Sequence, residues 1–332
     1  MKKMLLSFGF IISLSGLIAQ DTLNICSFNI QFLGHFQSKE NVLLAELLKD
    51  YDLVVVQELV APPVDGAYKD GVTFKKDLEA AAFADAMTAE GFNYRLSDED
   101  TGPTGNRTAS TASEWWIVFY KNDKVRPDST RAYGFVSSPL AGNPDLDRVP
   151  YAFPFKSVKG NSTFTFIPVH LRPGEKAADR ARRQTELNTL FNWVSSQTET
   201  NKDFYVLGDF NIYKNTEFTS FEQQDFRSLN ASCQFTNTKV YESQSKGKPY
   251  DHVFYRTASV EDLVPNSFAV IDLMAELIKI APDKVSTTYN HDEFRQRFSD
   301  HLPIQFKIVS GKDSDVRMRT IRPAEQLKMK SE

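Results

Sequence analysis

Only two cysteines, Cys26 and Cys233, occur in 332 residues. That excludes a disulfide-rich scaffold, and no Cys or His cluster has the spacing of a zinc site. The two are read as buried thiols. Positive charge is not in excess either: 39 Lys and Arg stand against 43 Asp and Glu, for a formal net charge of −4. A polyanionic partner would therefore have to be met by a local basic patch, because the overall field repels it. No short-period repeat or low-complexity segment interrupts the chain, and no linker divides it.

The one long apolar run, residues 4–18, is short for a bilayer span of roughly 20 residues. It follows Lys2 and Lys3 and precedes Ala19-Gln20-Asp21. That is the pattern of a secretory signal peptide over residues 1–19, and it predicts a secreted or periplasmic protein with no stable membrane association. Removing it takes away two lysines and leaves the chain more acidic. Residues 311–332 are polar and read as a disordered tail. The domain is then 20–310.

Within that domain, short apolar runs at 23–30, 53–56, 164–169 and 204–207 read as buried strands. Helical spacing of Val42, Leu43, Leu47 and Leu48 predicts a helix from 38 or 39 to Asp50. A second helix is expected from Thr73, its cap, to Glu90, ended by Gly91. A third is expected from Gly174 to Ser196 with Leu187, Leu190, Phe191 and Val194 as its core stripe. Further strands are expected at 114–120, 151–158, 251–255 and 302–309, with a short helix near 271–280. Alternating helices and strands give an α/β (α+β) class. The polar, Gly- and Thr-rich stretch 97–113 reads as a loop over the site.

Each strand ends in a polar motif: Asn29, Gln57-Glu58, His170, Asp209-Asn211, Asp251, Asp300-His301. Strands laid side by side would collect these ends at one sheet edge. The inventory is carboxylates for a hard cation, amides for hydrogen bonding and two imidazoles for proton transfer, which suits phosphoryl chemistry. Glu58 is the leading metal ligand, since a carboxylate directly after an apolar strand is costly to bury without a cation or base. Oxygen ligation favours Mg²⁺, with Mn²⁺ or Ca²⁺ as alternatives, over Zn²⁺. Asp209 and Asn211, two apart, would share a face if extended, one orienting water and the other holding phosphate.

The motifs Ser27-Phe28-Asn29-Ile30, Val56-Gln57-Glu58, Glu114 before Trp115, Val169-His170-Leu171, Gly208-Asp209-Phe210-Asn211, Tyr250-Asp251-His252 and Ser299-Asp300-His301-Leu302-Pro303-Ile304 appear in that order. In wording and order they resemble the endonuclease/exonuclease/phosphatase superfamily, and within it the deoxyribonuclease I-like secreted nucleases. The resemblance implies a four-layer α/β/β/α sandwich. It also implies that Asn29 and Asp300 assist Glu58 at the metal, that Asp251 orients His301, and that Glu114 orients His170. His301 and His170 form an acid and base pair whose individual roles stay open. The chain departs from deoxyribonuclease I at His252, where that enzyme has arginine, and at Ala112-Ser113, where an aromatic residue is expected. Those departures bear on substrate grip.

Arg107 and Arg172 are the candidates for phosphate contact, a guanidinium matching two oxygens at once. The expected activity is a secreted, metal-dependent phosphodiesterase, an endonuclease hydrolysing DNA or RNA, with double-stranded DNA as its first expected substrate. The alternative is a lipid or inositol phosphate phosphoesterase using the same site. A catalytically dead binding module would have lost Glu58, Asp209, Asp251 or His301, and all four are present. His35 and His291 fall outside the motifs and read as surface or loop residues.

Overall fold

Period-two alternation of apolar residues on doubly buried strands dictates the layers. The computed structural model describes residues 21–311, apart from 109, 131–133, 140–142, 161, 198–202 and 218–224. The expected leader, and all but the first residue of the expected tail, lie outside the described residues. In β1 (Thr22–Leu33), Leu23 and Ile25 enter one apolar cluster while Cys26, Phe28 and Ile30 enter another. In β2 (Leu53–Leu59), Leu53 and Val55 face one way, Val54 and Val56 the other. Each strand is thus covered on both faces.

Short strands β3 (Gly66–Ala67) and β4 (Thr73–Phe74) make a separate hairpin, and β5 (Asn93–Leu96) and β6 (Trp115–Tyr120) lead into β7 (Val125–Pro127). Next come β8 (Phe153–Ser157), β9 (Thr163–His170), β10 (Phe204–Asp209), β11 (Phe226–Ser228), β12 (Asp251–Arg256), β13 (Ala269–Val270) and β14 (Ile304–Val309). They form two six-stranded sheets, in the orders β13-β14-β1-β2-β6-β5 and β11-β12-β10-β9-β8-β7. Trp116, Phe155, Phe166, Tyr205, Leu207 and Phe306 fill the space between the sheets. Helices α1 (Asn41–Leu48), α2 (Leu78–Ala89), α4 (Leu273–Ile280) and α5 (His291–Arg297) cover the outer face of the first sheet, and α3 (Ala177–Ser196) covers the second. This is the four-layer arrangement the resemblance implied.

Pairs β1–β2 and β9–β10 are parallel. A parallel pair needs a crossover, here α1 and α3, and it leaves both strands ending at the same edge. That edge holds Asn29, Glu58, His170 and Asp209. The core stripe of α3 is as expected, with Leu187, Leu190, Phe191 and Val194 all buried. The start of α2 is a correction: Thr73 pairs with Ala67 in the hairpin, and the helix begins at Leu78. Asp77 is the cap, its Oδ1 accepting from the N–H of Ala80 at 2.9 Å; β-branched Thr73 beside Phe74 favours the pleated pairing. Cys26 and Cys233 are both buried, in apolar clusters on the outer sides of different sheets, and are not joined to each other.

Candidate active site

Two irregularities shape the strand ends. Between Val56 and Leu59, β2 carries an extra residue against β6, and β1 carries extra residues against β2 between Asn29 and Leu33. Bulges re-aim side chains. Gln31, Phe32 and Glu58 accordingly take left-handed backbone, with φ of 53°, 50° and 60°, a conformation non-glycine residues adopt when surrounding contacts enforce it. Here the contacts are visible. Asn29 Nδ2 donates to Glu58 Oε1 at 2.8 Å, Phe32 N–H to Glu58 Oε2 at 3.1 Å, and Gln31 N–H to Asn29 Oδ1 at 3.0 Å. The N–H of Glu58 donates to Glu114 Oε2 at 3.2 Å.

Gly208 brings the second sheet into reach. Its φ is +131°, and a Cβ there would stand 2.4 Å from the carbonyl oxygen of Val169 and 3.1 Å from Cδ of Gln57. Only glycine admits this approach. Asp209 follows, its Oδ1 accepting from the N–H of Asn211 at 2.8 Å and its Oδ2 accepting from Asn29 Nδ2 at 3.2 Å. Asn211 is not extended as expected: its φ is 48° and its Nδ2 donates to the carbonyl of Leu171 at 3.0 Å. The Asp209 side chain closes a local turn that an extended strand could not make. Asn211 therefore ties two strand exits together.

Both imidazoles are held by carboxylates through Nδ1. His170 meets Glu114 Oε1 at 2.5 Å, and His301 meets Asp251 Oδ2 at 2.8 Å. Their Nε2 atoms lie 3.6 and 3.5 Å from Asp209 Oδ2. Asp251 is steadied by Thr236, whose Oγ1 accepts from the N–H of Asp251 at 2.9 Å. Ser299 Oγ donates to the carbonyl of Asn29 at 2.6 Å and accepts from the N–H of His301 at 2.9 Å, seating the Asp300-His301 turn on β1.

Burial alone would lower both histidines, but neighbouring carboxylates outweigh it. His301 is raised well above its ordinary value by Asp251 and Asp209, and His170 is raised by Glu114 and Asp209 against burial and Arg148. Burial pushes Asp251 and Glu58 up, His301 and His170 respectively opposing it. Glu114 is held down although burial works against it, because His170 and Arg148 both face it. In each pair the carboxylate stabilises a proton on the imidazole while burial opposes the charge of both partners.

Glu58, Asp209 and His301 each offer a ligand atom within 4.8 Å of the others. Asp300 stands beside them, 3.9 Å from His301 Nε2, with a buried Oδ1 that has no hydrogen-bond partner. Carboxylate oxygens crowded together, one of them unsatisfied, fit a hard divalent cation. Glu58 and Asp300 would bind through oxygen, and Asn29 holds Glu58 in position through its amide.

The two arginine candidates are each held by acids outside the carboxylate centre. Arg107 pairs with Asp70 at 2.7 Å and Glu99 at 3.6 Å and stacks 3.9 Å over the Tyr68 ring. Arg172 pairs with Asp179 at 3.2 Å and Asp147 at 3.4 Å. Among the described residues, neither makes an ion pair with the carboxylates of the centre.

Sequence reasoning passed over Arg148 and Glu186. Arg148 Nε sits 2.6 Å from Glu114 Oε1. Glu186, on α3, accepts from the N–H of Asp147 and the N–H of Arg172, both at 2.9 Å, and burial pushes it up to about 7. Arg148 sits in a loop with no motif, and Glu186 reads as one more polar helix position. Ser299 was legible, as part of the Ser-Asp-His motif. His252, one departure from deoxyribonuclease I, is buried on the far side of β12 against Phe210 and Phe254. His35 is exposed as expected, whereas His291 is half-buried at the start of α5 with its Nδ1 2.8 Å from the Tyr289 hydroxyl.

Known proteins share this architecture. An Endonuclease/exonuclease/phosphatase family protein from Bacteroides thetaiotaomicron superposes with a TM-score of 0.57 at 15% identity, covering 89% of this chain and 99% of that one. D. rerio TDP2 complexed with single strand DNA product superposes with a TM-score of 0.53 at 14% identity, covering 86% and 98%. A curated protein named deoxyribonuclease, from Thioalkalivibrio sp. (strain K90mix), is 24% identical over 203 residues, which are 57% of this chain and 46% of that protein. The chain therefore spans about half the length of that relative. Residues 26–301 match the Endonuclease/Exonuclease/phosphatase family as a whole, and the chain belongs to that family of hydrolases.

Proposed function

We propose that this protein is an exported, metal-dependent nuclease that hydrolyses DNA internally, with double-stranded DNA as its first substrate and RNA as a second. The observation that carries this reading is the convergence of two carboxylate-held imidazoles on Asp209 Oδ2. One imidazole can take a proton from the attacking water while the other gives one to the leaving oxygen, and their mirrored partners suit them to opposite ends of an in-line displacement. Asp209 lies between them and orients the water. Asn29 donates to Asp209 and Glu58 and holds the two carboxylates in register. A bound Mg²⁺ would stabilise charge on the non-bridging oxygens.

The relatives named for deoxyribonuclease activity and for a DNA product support a nucleic-acid substrate. The leader expected at residues 1–19 supports export.

Cleavage of supercoiled plasmid by the chain lacking residues 1–19 tests the proposal, with Mg²⁺, with EDTA, and with His301→Ala. Nicked and linear products that vanish under both controls are expected. Intact plasmid alongside hydrolysis of sphingomyelin or an inositol phosphate would assign the site to the alternative substrate class. Fractionation of cells expressing the full chain tests export, and retention of the uncleaved chain in the cytoplasm would refute it.

A further inference from the structure

Arg295 is placed differently from the two arginines singled out by sequence. Among the described residues it has no carboxylate at ion-pair distance, and its side-chain hydrogen bond runs from Nε to Gln31 Oε1 at 3.3 Å. Gln31 is the left-handed residue whose N–H holds Asn29 Oδ1, and the next N–H, from Phe32, holds Glu58. Four residues beyond Arg295, Ser299 donates to the carbonyl of Asn29. The guanidinium is therefore tied to the candidate centre from both directions.

Its surroundings fix it there. Lys39 is buried, and its Nζ donates to the carbonyls of Phe298 at 2.6 Å and Arg295 at 3.2 Å, closing the last turn of α5. Both cations lie over the Phe36 ring, Lys39 Nζ at 5.4 Å and the Arg295 guanidinium at 5.5 Å from its centre. Phe36 in turn packs with Phe32 and His35. A guanidinium has five N–H donors, and Gln31 takes one. Half-buried Arg295 thus presents unspent donors next to the turn that holds Asn29 and Glu58, and unspent guanidinium donors serve an arriving anion.

We propose that Arg295 binds the phosphate next to the scissile one in a nucleic-acid chain, so that it selects polynucleotides over small phosphodiesters. Arg295 is linked to the imidazoles through Gln31, Asn29 and Asp209 and makes no direct contact with them among the described residues, so the phosphate assigned to Arg295 is a neighbour of the one being cut. The proposal rests on the nucleic-acid reading above.

The test compares steady-state cleavage of a DNA oligonucleotide and of bis(p-nitrophenyl) phosphate, which has no neighbouring phosphate, in about 50 to 200 mM salt. Arg295→Ala is expected to raise KM for DNA about ten-fold and to reduce the log–log salt slope by about one. Hydrolysis of the small diester should be unchanged. Arg295→Lys should keep the salt slope and lose part of the affinity, since it keeps the charge and loses the fork. Thermal melting of each variant establishes that it is folded.

A folded Arg295→Ala with unaltered KM and slope for DNA would overturn the proposal, and so would an equal loss on both substrates, which marks a structural role. Wild-type protein that hydrolyses the small diester and no nucleic acid would instead refute the nucleic-acid reading, and the assignment of Arg295 with it.

Discussion

Asn29 and Asp209, 180 positions apart, are joined by a hydrogen bond from Asn29 Nδ2 to Asp209 Oδ2 at 3.2 Å. The bond crosses from the end of one sheet to the end of the other. It reaches the same oxygen that faces both imidazoles, so the two halves of the molecule share one carboxylate.

Asp209→Asn should therefore lower activity sharply without unfolding the chain. The amide keeps the shape but loses the negative charge between the imidazoles, and a drop in kcat of roughly a thousand-fold is expected, in the range seen for a positioned catalytic group. Asn29→Ala should lower kcat less, roughly a hundred-fold, by loosening Glu58 and Asp209 together. Single-turnover rates with near-native melting temperatures check both. Wild-type rates in Asp209→Asn would remove Asp209 from the centre.

The two histidines can be told apart by their partners. Asp251 raises His301, so Asp251→Asn should move the limb of the pH–rate profile controlled by His301 to lower pH. Arg148 lowers His170, so Arg148→Met should move the limb controlled by His170 to higher pH. Whichever limb each variant moves assigns base and acid. If both variants shift the same limb, the imidazoles do not divide the roles.

Cation binding should be visible as stability. A ligand at a hundred times its dissociation constant adds about 2.7 kcal/mol to a folded state that alone binds it. Melting temperature should rise as Mg²⁺ is titrated into EDTA-treated protein and stay flat in Glu58→Gln. An equal rise in Glu58→Gln would move the cation away from this carboxylate.

His252 predicts an acid-sensitive fold. Its Nε2 donates to the carbonyl of Pro249 at 2.8 Å and its Nδ1 accepts from Ser228 Oγ at 2.9 Å. Burial depresses it from 6.5 to about 4, outweighing the Pro249 carbonyl and Asp209, which both favour its proton. Below pH about 6.5 the unfolded chain takes up a proton that the folded chain refuses until about pH 4, so stability falls across that window, at most by about 1.4 kcal/mol per pH unit. Denaturant midpoints at pH 7 and 4.5 should fall further in the wild type than in His252→Gln. Equal falls would mean that His252 accepts its proton without cost.

Much of the centre is legible because its cause is local. Apolar alternation marks β1, β2, β9 and β10, and a polar residue at the end of a buried strand stands out against it, so Asn29, Glu58, His170 and Asp209 can be picked by eye. Gly208 is marked by its position before Asp209. The left-handed turn at Asn211 is not, because an extended reading satisfies the same spacing until the Asp209 side chain competes for the Asn211 N–H. Thr73 has the chemistry of a helix cap, yet a partner strand at Ala67 claims it first.

What the amino-acid order determines alone is the family, the layer pattern and the residues at the strand ends, since periodicity and motif order need no knowledge of distant contacts. Tertiary structure decides which charges are already spent. Arg107 and Arg172 look available on paper and are paired with acids up to 37 positions away, while Arg295, outside any motif, is brought to Gln31 across 264 positions and stays unpaired among the described residues. Local sequence sets where a side chain starts. The partner that neutralises or frees it is chosen by chain closure over long separations, and no short pattern records that choice.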